Sequence, residues 1–176
     1  MKLVCTLGMT PGGIAETVIN LSTGNYVSKY EPKRVSFDEI IIVRTKDTEY
    51  SYAFLKAIFL CCINFGELKE FVLPFNDVSS PQDFIYVRDN VRNMLKAGDY
   101  LDFTGGRKAI SSAAVLAARE AGAHLVSTII DQKDYIEMNE KFNELKRLAM
   151  SVKGKEDCTN YFCSLISKNS KTILFF

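Results

Sequence analysis

Two short stretches hold residues whose types and spacing could do chemistry: Gly8-Met9-Thr10-Pro11-Gly12-Gly13 and Thr104-Gly105-Gly106-Arg107-Lys108. Each follows an apolar run and precedes a helical pattern. Glycines allow a ligand to approach the main chain, and a helix N-terminus offers free N–H groups and a positive dipole end to an anion such as phosphate. Thr10 can cap its helix or hydrogen-bond the ligand, and Pro11 suits a first helical position. Glycines after strands also simply make tight turns. Two such loops at one crevice, with Arg107 and Lys108 on the second, favour the anion cradle.

Neither G-x-G-x-x-G nor G-x-x-x-x-G-K-[ST] is present, which argues against a conventional dehydrogenase or a Walker ATPase. H-E-x-x-H, G-x-S-x-G and clustered metal-ligand spacings are absent as well, so the sequence offers no support for zinc-protease or serine-triad chemistry.

The elements that must position these loops alternate. Leu3 to Leu7 is a short apolar run, followed by Ile14, Val18 and Leu21 at helical spacing. Glu39 to Arg44 is β-branched, and Phe54, Ala57, Ile58, Cys61 and Phe65 then recur on one helical face. A third strand is predicted over Phe71 to Phe75. Ser80-Pro81-Gln82-Asp83 opens the next helix with an N-cap, a proline at the first position and an acid at the third, and that helix is predicted to run to Ala97. Tyr100 to Phe103, Ile110 to Ala121 and His124 to Ile130 complete a strand, a helix and a strand.

This order predicts an α/β fold, a doubly wound and mainly parallel sheet with helices on both faces. Ligands bind such sheets beyond the carboxyl ends of the strands, where strand order reverses. In a 3-2-1-4-5 order, strands one and four are neighbours there, so both glycine-rich loops border one crevice. Residues 1–131 are read as the domain. Residues 132–176, with a charged helix over Glu137 to Ala149 and an apolar run over Thr172 to Phe176, are read as a helix-and-strand extension rather than a second domain. The alanines Ala113, Ala114, Ala117 and Ala121 read as close helix-sheet packing.

The chain of 176 residues is 47% hydrophobic and 24% charged, an ordinary globular composition. With 22 basic and 21 acidic side chains the net charge is +1, which gives no sign of a nucleic-acid coat. Any anion must be held locally. No apolar run is long enough to span a bilayer and no signal-peptide pattern opens the chain, so a cytoplasmic protein is expected. Cys5, Cys61 and Cys62 are expected to be reduced core residues. A Cys158–Cys163 pair, conceivable for a hyperthermophilic source, is not expected, and no disulfide framework is needed for stability. Arg119 and His124 resemble the R-x4-H signature of HEPN ribonucleases, but they straddle a helix end and a strand start, so His124 is read as structural.

Together, LGMTPGGIAETVINL and LDFTGGRKAISSA resemble the CARF domain, the sensor fold of type III CRISPR systems that binds cyclic oligoadenylates. TLGMTPGGIAETV is similar to the family's first-strand motif and TGGRKA to its fourth-strand motif, and the resemblance covers about residues 1–131. With no effector following, the chain resembles a stand-alone ring nuclease, which degrades the cyclic messenger. That resemblance implies cyclic tetra-adenylate as substrate and a homodimer, with no cofactor or metal needed. The neutral charge, the lack of a DNA-reading helix and the short apolar runs separately give the expectation of no DNA or membrane partner.

It also implies attack of the ribose 2′-OH on the adjacent phosphodiester, with Lys108 stabilising charge on phosphorus. Thr10 stands where ring nucleases often have serine and would orient the ribose or phosphate. Gly8, Met9, Pro11, Gly12, Gly13, Thr104, Gly105 and Gly106 would contact the ligand. Arg107 is read either as a second phosphate ligand or as a solvated helix-end charge. The loops Arg44 to Thr48, which holds Thr45, and Asn76 to Ser80 are candidates for adenine contacts.

Other readings use the same loops: a non-catalytic cyclic oligoadenylate sensor acting through a partner, and a Rossmann-like protein binding an ordinary nucleotide. A transcription regulator ranks last, for want of a DNA-reading helix. The ending TILFF is read as an edge strand or as the break point of a longer effector.

Overall fold

In the computed structural model, which describes residues 1–176, eleven strands and helices follow in the order β1 (Lys2–Thr6), α1 (Ile14–Thr23), β2 (Glu39–Arg44), α2 (Glu49–Ile58), β3 (Lys69–Val72), α3 (Pro81–Met94), β4 (Tyr100–Asp102), α4 (Lys108–Ala121), β5 (His124–Ile130), α5 (Gln132–Met150) and β6 (Ser170–Leu174). They build one sheet in the order β3-β2-β1-β4-β5-β6. All pairings are parallel except the last, β5 with β6. This is the expected Rossmann-like arrangement, with β6 as the added edge strand. No helix is long and apolar enough to cross a membrane.

Strand alternation divides the core in two. Leu3 and Cys5 of β1, Leu7 just beyond it, and Ile40 and Ile42 of β2 face α1, α2 and α5. Val4 and Val43 face α3 and α4. Ala113, Ala114, Ala117 and Ala118 are fully buried on α4, and their small side chains let it lie close to α3 and the sheet. Residues beyond 131 share the first core: Phe142 and Phe162 pack edge-on against Phe54, each ring centre within 5.6 Å.

β2 and β5 match their predicted limits. β3 begins earlier and ends earlier than Phe71 to Phe75, because Pro74 has no N–H for the ladder and Leu73 closes it by donating to the Arg44 carbonyl at 2.8 Å. The strand therefore includes Lys69 and Glu70, whose charges pair with Glu39 and Arg44 and discourage pairing at this sheet edge. At the other edge, Val27 covers part of β6 by exchanging hydrogen bonds with Thr172 and Leu174.

Ser80 caps α3 as expected, accepting from the Asp83 amide at 3.1 Å. That helix stops at Met94, short of Ala97, where the Asp99 carboxylate holds the Lys96 amide in a turn and takes the Lys2 amide of β1 with its other oxygen. α5 begins at Gln132, a turn and more before Glu137. Its first turn has no buried apolar residue to show in the sequence.

The cysteines require a correction. Cys61 bonds to Cys158 and Cys62 to Cys163, while Cys5 alone is free and buried. The helix after Ile58 widens into a π-helical turn, Phe59–Ile63, ending at Asn64 in the left-handed region. That turn presents both neighbouring cysteines to the C-terminal segment packed on α2. Local spacing cannot reveal partners 97 and 101 residues away.

Candidate functional site

The carboxyl ends of β1, β4 and β5 and the start of α5 enclose a crevice of about 490 Å³. Gly8, Met9, Thr10 and Gly12 line one side, with Thr104, Gly105, Gly106 and Arg107 beside them. Thr128, Ile130 and Tyr135 form the remaining wall. The two glycine-rich loops thus meet where the strand order places them. No carboxylate, imidazole or thiol lines the crevice.

The close approach that the glycines permit is, in the first instance, that of each loop to the other. A Cβ at Gly105 would lie 2.9 Å from the Thr6 carbonyl oxygen and 3.0 Å from the Gly8 nitrogen. Gly13 has φ +107°, and a Cβ there would meet a Thr104 methyl at 2.4 Å. Because the atoms facing Gly105 are backbone, Gly105→Ala is expected to destabilise the fold by about 1–3 kcal/mol, read from urea unfolding. Unchanged stability would mean that the loops can part freely.

The Gly13 conformation also keeps Pro11 and Gly12 out of α1, which starts at Ile14. Thr10 is therefore not its cap, nor Pro11 its first residue, contrary to the sequence expectation. Pro11 is buried, and neither it nor Gly13 lines the crevice. The Thr10 hydroxyl instead faces the Tyr135 hydroxyl at 3.3 Å.

The two helix N-termini are not equivalent. At α1, the Glu16 carboxylate takes the Gly13 amide at 2.8 Å, so that end already holds an anion. Burial pushes the Glu16 carboxyl up, while amide hydrogen bonds, including those from Ser167 and Gly13, pull it back. At α4 there is no side-chain cap and no acid in the first turn, which leaves its amides and dipole available.

Arg107, the N-cap residue of α4, is neither free nor merely solvated. Its guanidinium binds Asp47 at 2.5 Å and the Thr45 hydroxyl at 3.2 Å, and Thr45 itself bonds Asp47. The Arg107 and Thr45 hydrogen bonds hold the Asp47 carboxyl below its ordinary value. Thr45 therefore lies beside the crevice, bonded to Arg107, and does not line it. Lys108 is exposed at the first position of α4, one residue past the lining Arg107, with no carboxylate in ion-pair contact.

Beneath the crevice Asp102 is fully buried. One of its oxygens accepts the Thr104 amide at 2.7 Å and hydroxyl at 2.5 Å, and the other has no partner. Burial raises this carboxyl, against the Thr104 hydroxyl and amide that lower it. Thr104 in turn accepts the Thr128 amide at 2.8 Å, so the ends of β4 and β5 are locked together.

The sequence did not single out Thr128, Ile130 or Tyr135. The first two were within reach, since β5 ends beside β4 in the expected strand order. Tyr135 had no signal, because its turn of α5 is solvent-facing. His124 lies at the amino end of β5, away from the crevice, where its ring packs on Tyr100 and its Nδ1 is 3.1 Å from the Phe176 carbonyl oxygen.

No family model matches the chain. It is 37% identical, over an alignment of 185 positions, to a protein of Saccharolobus solfataricus described as a CRISPR system ring nuclease. The match takes in 99% of this chain and 98% of that protein.

Proposed function

The chain belongs to the ring nucleases of CRISPR systems, which carries the degradation of cyclic oligoadenylate with it, and we propose that its substrate is cyclic tetra-adenylate, opened without a metal ion. A ribose 2′-oxygen forms a bond to the adjacent phosphorus as the P–O5′ bond breaks. The 2′-OH loses its proton and the departing 5′-oxygen gains one, leaving a 2′,3′-cyclic phosphate and a 5′-OH. Water is not consumed and no protein nucleophile is needed.

The observation that carries this reading is the uncapped N-terminus of α4 at a crevice without carboxylates, next to the unpaired Lys108. The helix end and Lys108 stabilise the extra negative charge on the pentacoordinate phosphorus. Thr10, restrained in rotamer by its methyl group and facing Tyr135, orients the ribose or phosphate. A donor set of hydroxyls, amides and one guanidinium suits phosphate recognition better than metal ligation.

A crevice of about 490 Å³ matches a drug-sized ligand and is small for a ring of four nucleotides. Two copies facing each other across a two-fold axis supply the remaining surface and two cleavage sites. Wild-type protein incubated with cyclic tetra-adenylate in EDTA is expected to give linear products ending in 2′,3′-cyclic phosphate, resolved by chromatography and mass. Bound but intact ring would make the protein a sensor, and activity restored only by added metal would overturn the mechanism.

A further inference from the structure

Beyond the crevice-lining side chains, one residue of the C-terminal segment ties the two crevice walls together from behind. The backbone N–H of Ser167 donates to Glu16 at 3.2 Å, and its hydroxyl donates to Asp134 at 2.8 Å. The other oxygen of Glu16 holds the Gly13 amide, directly after the lining Gly12. Asp134 directly precedes Tyr135. Ser167 therefore bonds, through one carboxylate each, to the Thr10 loop and to the Tyr135 turn.

Apart from its helical hydrogen bonds and the Thr10–Tyr135 hydroxyl contact, that turn has few ties to the body of the protein. Gln132, Lys133, Tyr135 and Ile136 are exposed, and the first buried residue of α5 is Met138. Asp134 is the partly buried exception, with Ser167 and the Asn169 amide group as its hydrogen-bond partners. Ser167 itself is well fixed: it lies four residues after Cys163, which is bonded to Cys62 in the π-helical turn after α2, and three before β6. The disulfide-anchored tail thus adds side-chain ties, through Asp134, to a turn otherwise held by its helical hydrogen bonds and the Thr10–Tyr135 contact.

We propose that Ser167 is a positioning residue for ring cleavage, setting the separation of Thr10 and Tyr135 through Glu16 and Asp134. This rests on the cleavage reading above, where misplacing an orienting group by about 1 Å costs up to about 10²-fold in rate. Removing the hydroxyl leaves Asp134 with only the longer Asn169 contact at 3.3 Å, while the Ser167 amide bond to Glu16 survives, so the Tyr135 wall loosens and the Thr10 loop stays. The loss falls on the chemical step more than on binding.

The test compares Ser167→Ala, Ser167→Thr and wild type by two measurements. In ligand-free protein, hydrogen exchange of the first α5 amides with helical acceptors, over 135–138, is expected to speed up about 10-fold in Ser167→Ala and to stay near wild type in Ser167→Thr, which keeps the hydroxyl. With cyclic tetra-adenylate in EDTA, kcat of Ser167→Ala is expected to fall about 10-fold with KM within about two-fold, and Ser167→Thr to recover most of the rate. Unchanged exchange, an effect on KM alone, or equal loss in both variants would overturn the proposal. If wild type cleaves no ring, the functional reading fails, and the exchange measurement still decides whether Ser167 holds the wall.

Discussion

Lys108→Ala is expected to slow ring opening about 10²- to 10³-fold, about 2.7–4 kcal/mol of transition-state stabilisation, the scale of losing one oxyanion donor. Of the two adjacent cations, Arg107 has its charge largely answered by Asp47 and its donors shared with Thr45. Lys108 has no such partner, so its ammonium is the free positive charge at the α4 N-terminus. Its effect belongs to the transition state, where charge on phosphorus grows, so single-turnover rates fall while ring affinity changes much less. Lys108→Arg retains the charge but not the compact geometry and falls between. Wild-type rates in Lys108→Ala would leave catalysis to the helix end and the hydroxyls.

Arg107→Ala acts differently. It leaves Asp47 without its cation at the rim, adding an unanswered negative charge next to an anion site, so weakened binding accompanies any loss of rate.

The residues legible in the sequence are those whose signals are local. β2 and β5 are β-branched runs bounded by charge and turn, and their limits could be read directly. Five parallel strands in a reversing order followed from strand-helix alternation, and that order brought Gly8 and Gly105 together before any coordinate did. What stayed hidden depends on distant partners. The glycines read as room for a ligand also serve the close contact of Gly105 with Thr6 and Gly8, which needs the folded sheet to appear. Arg107 read as a phosphate ligand or a solvated charge because Asp47, 60 residues earlier, is invisible to motif spacing. Tyr135 and Ser167 sit on exposed or irregular chain, where no periodicity marks them.

The paired disulfides are expected to be strongly non-additive. Each alone closes a loop near 100 residues, worth about 4.7 kcal/mol in the chain-entropy description. With one in place, the other closes only the short ring through Cys61, Cys62 and the Cys158 to Cys163 segment, about eight residues, worth about 2.5 kcal/mol. Cys61→Ser with Cys158→Ser, or Cys62→Ser with Cys163→Ser, should therefore each cost about 2.5 kcal/mol. Removing both bridges, or full reduction, should cost about 7 kcal/mol, a large part of the stability of an ordinary domain. Urea unfolding of the two single-bridge variants and the bridge-free chain checks this. If one deletion already costs as much as both, the bridges do not share a loop, and their contribution comes from native packing of the tail against α2. If the two single-bridge losses sum to the loss of both, each bridge constrains the unfolded chain independently of the other, and the shared-ring account fails.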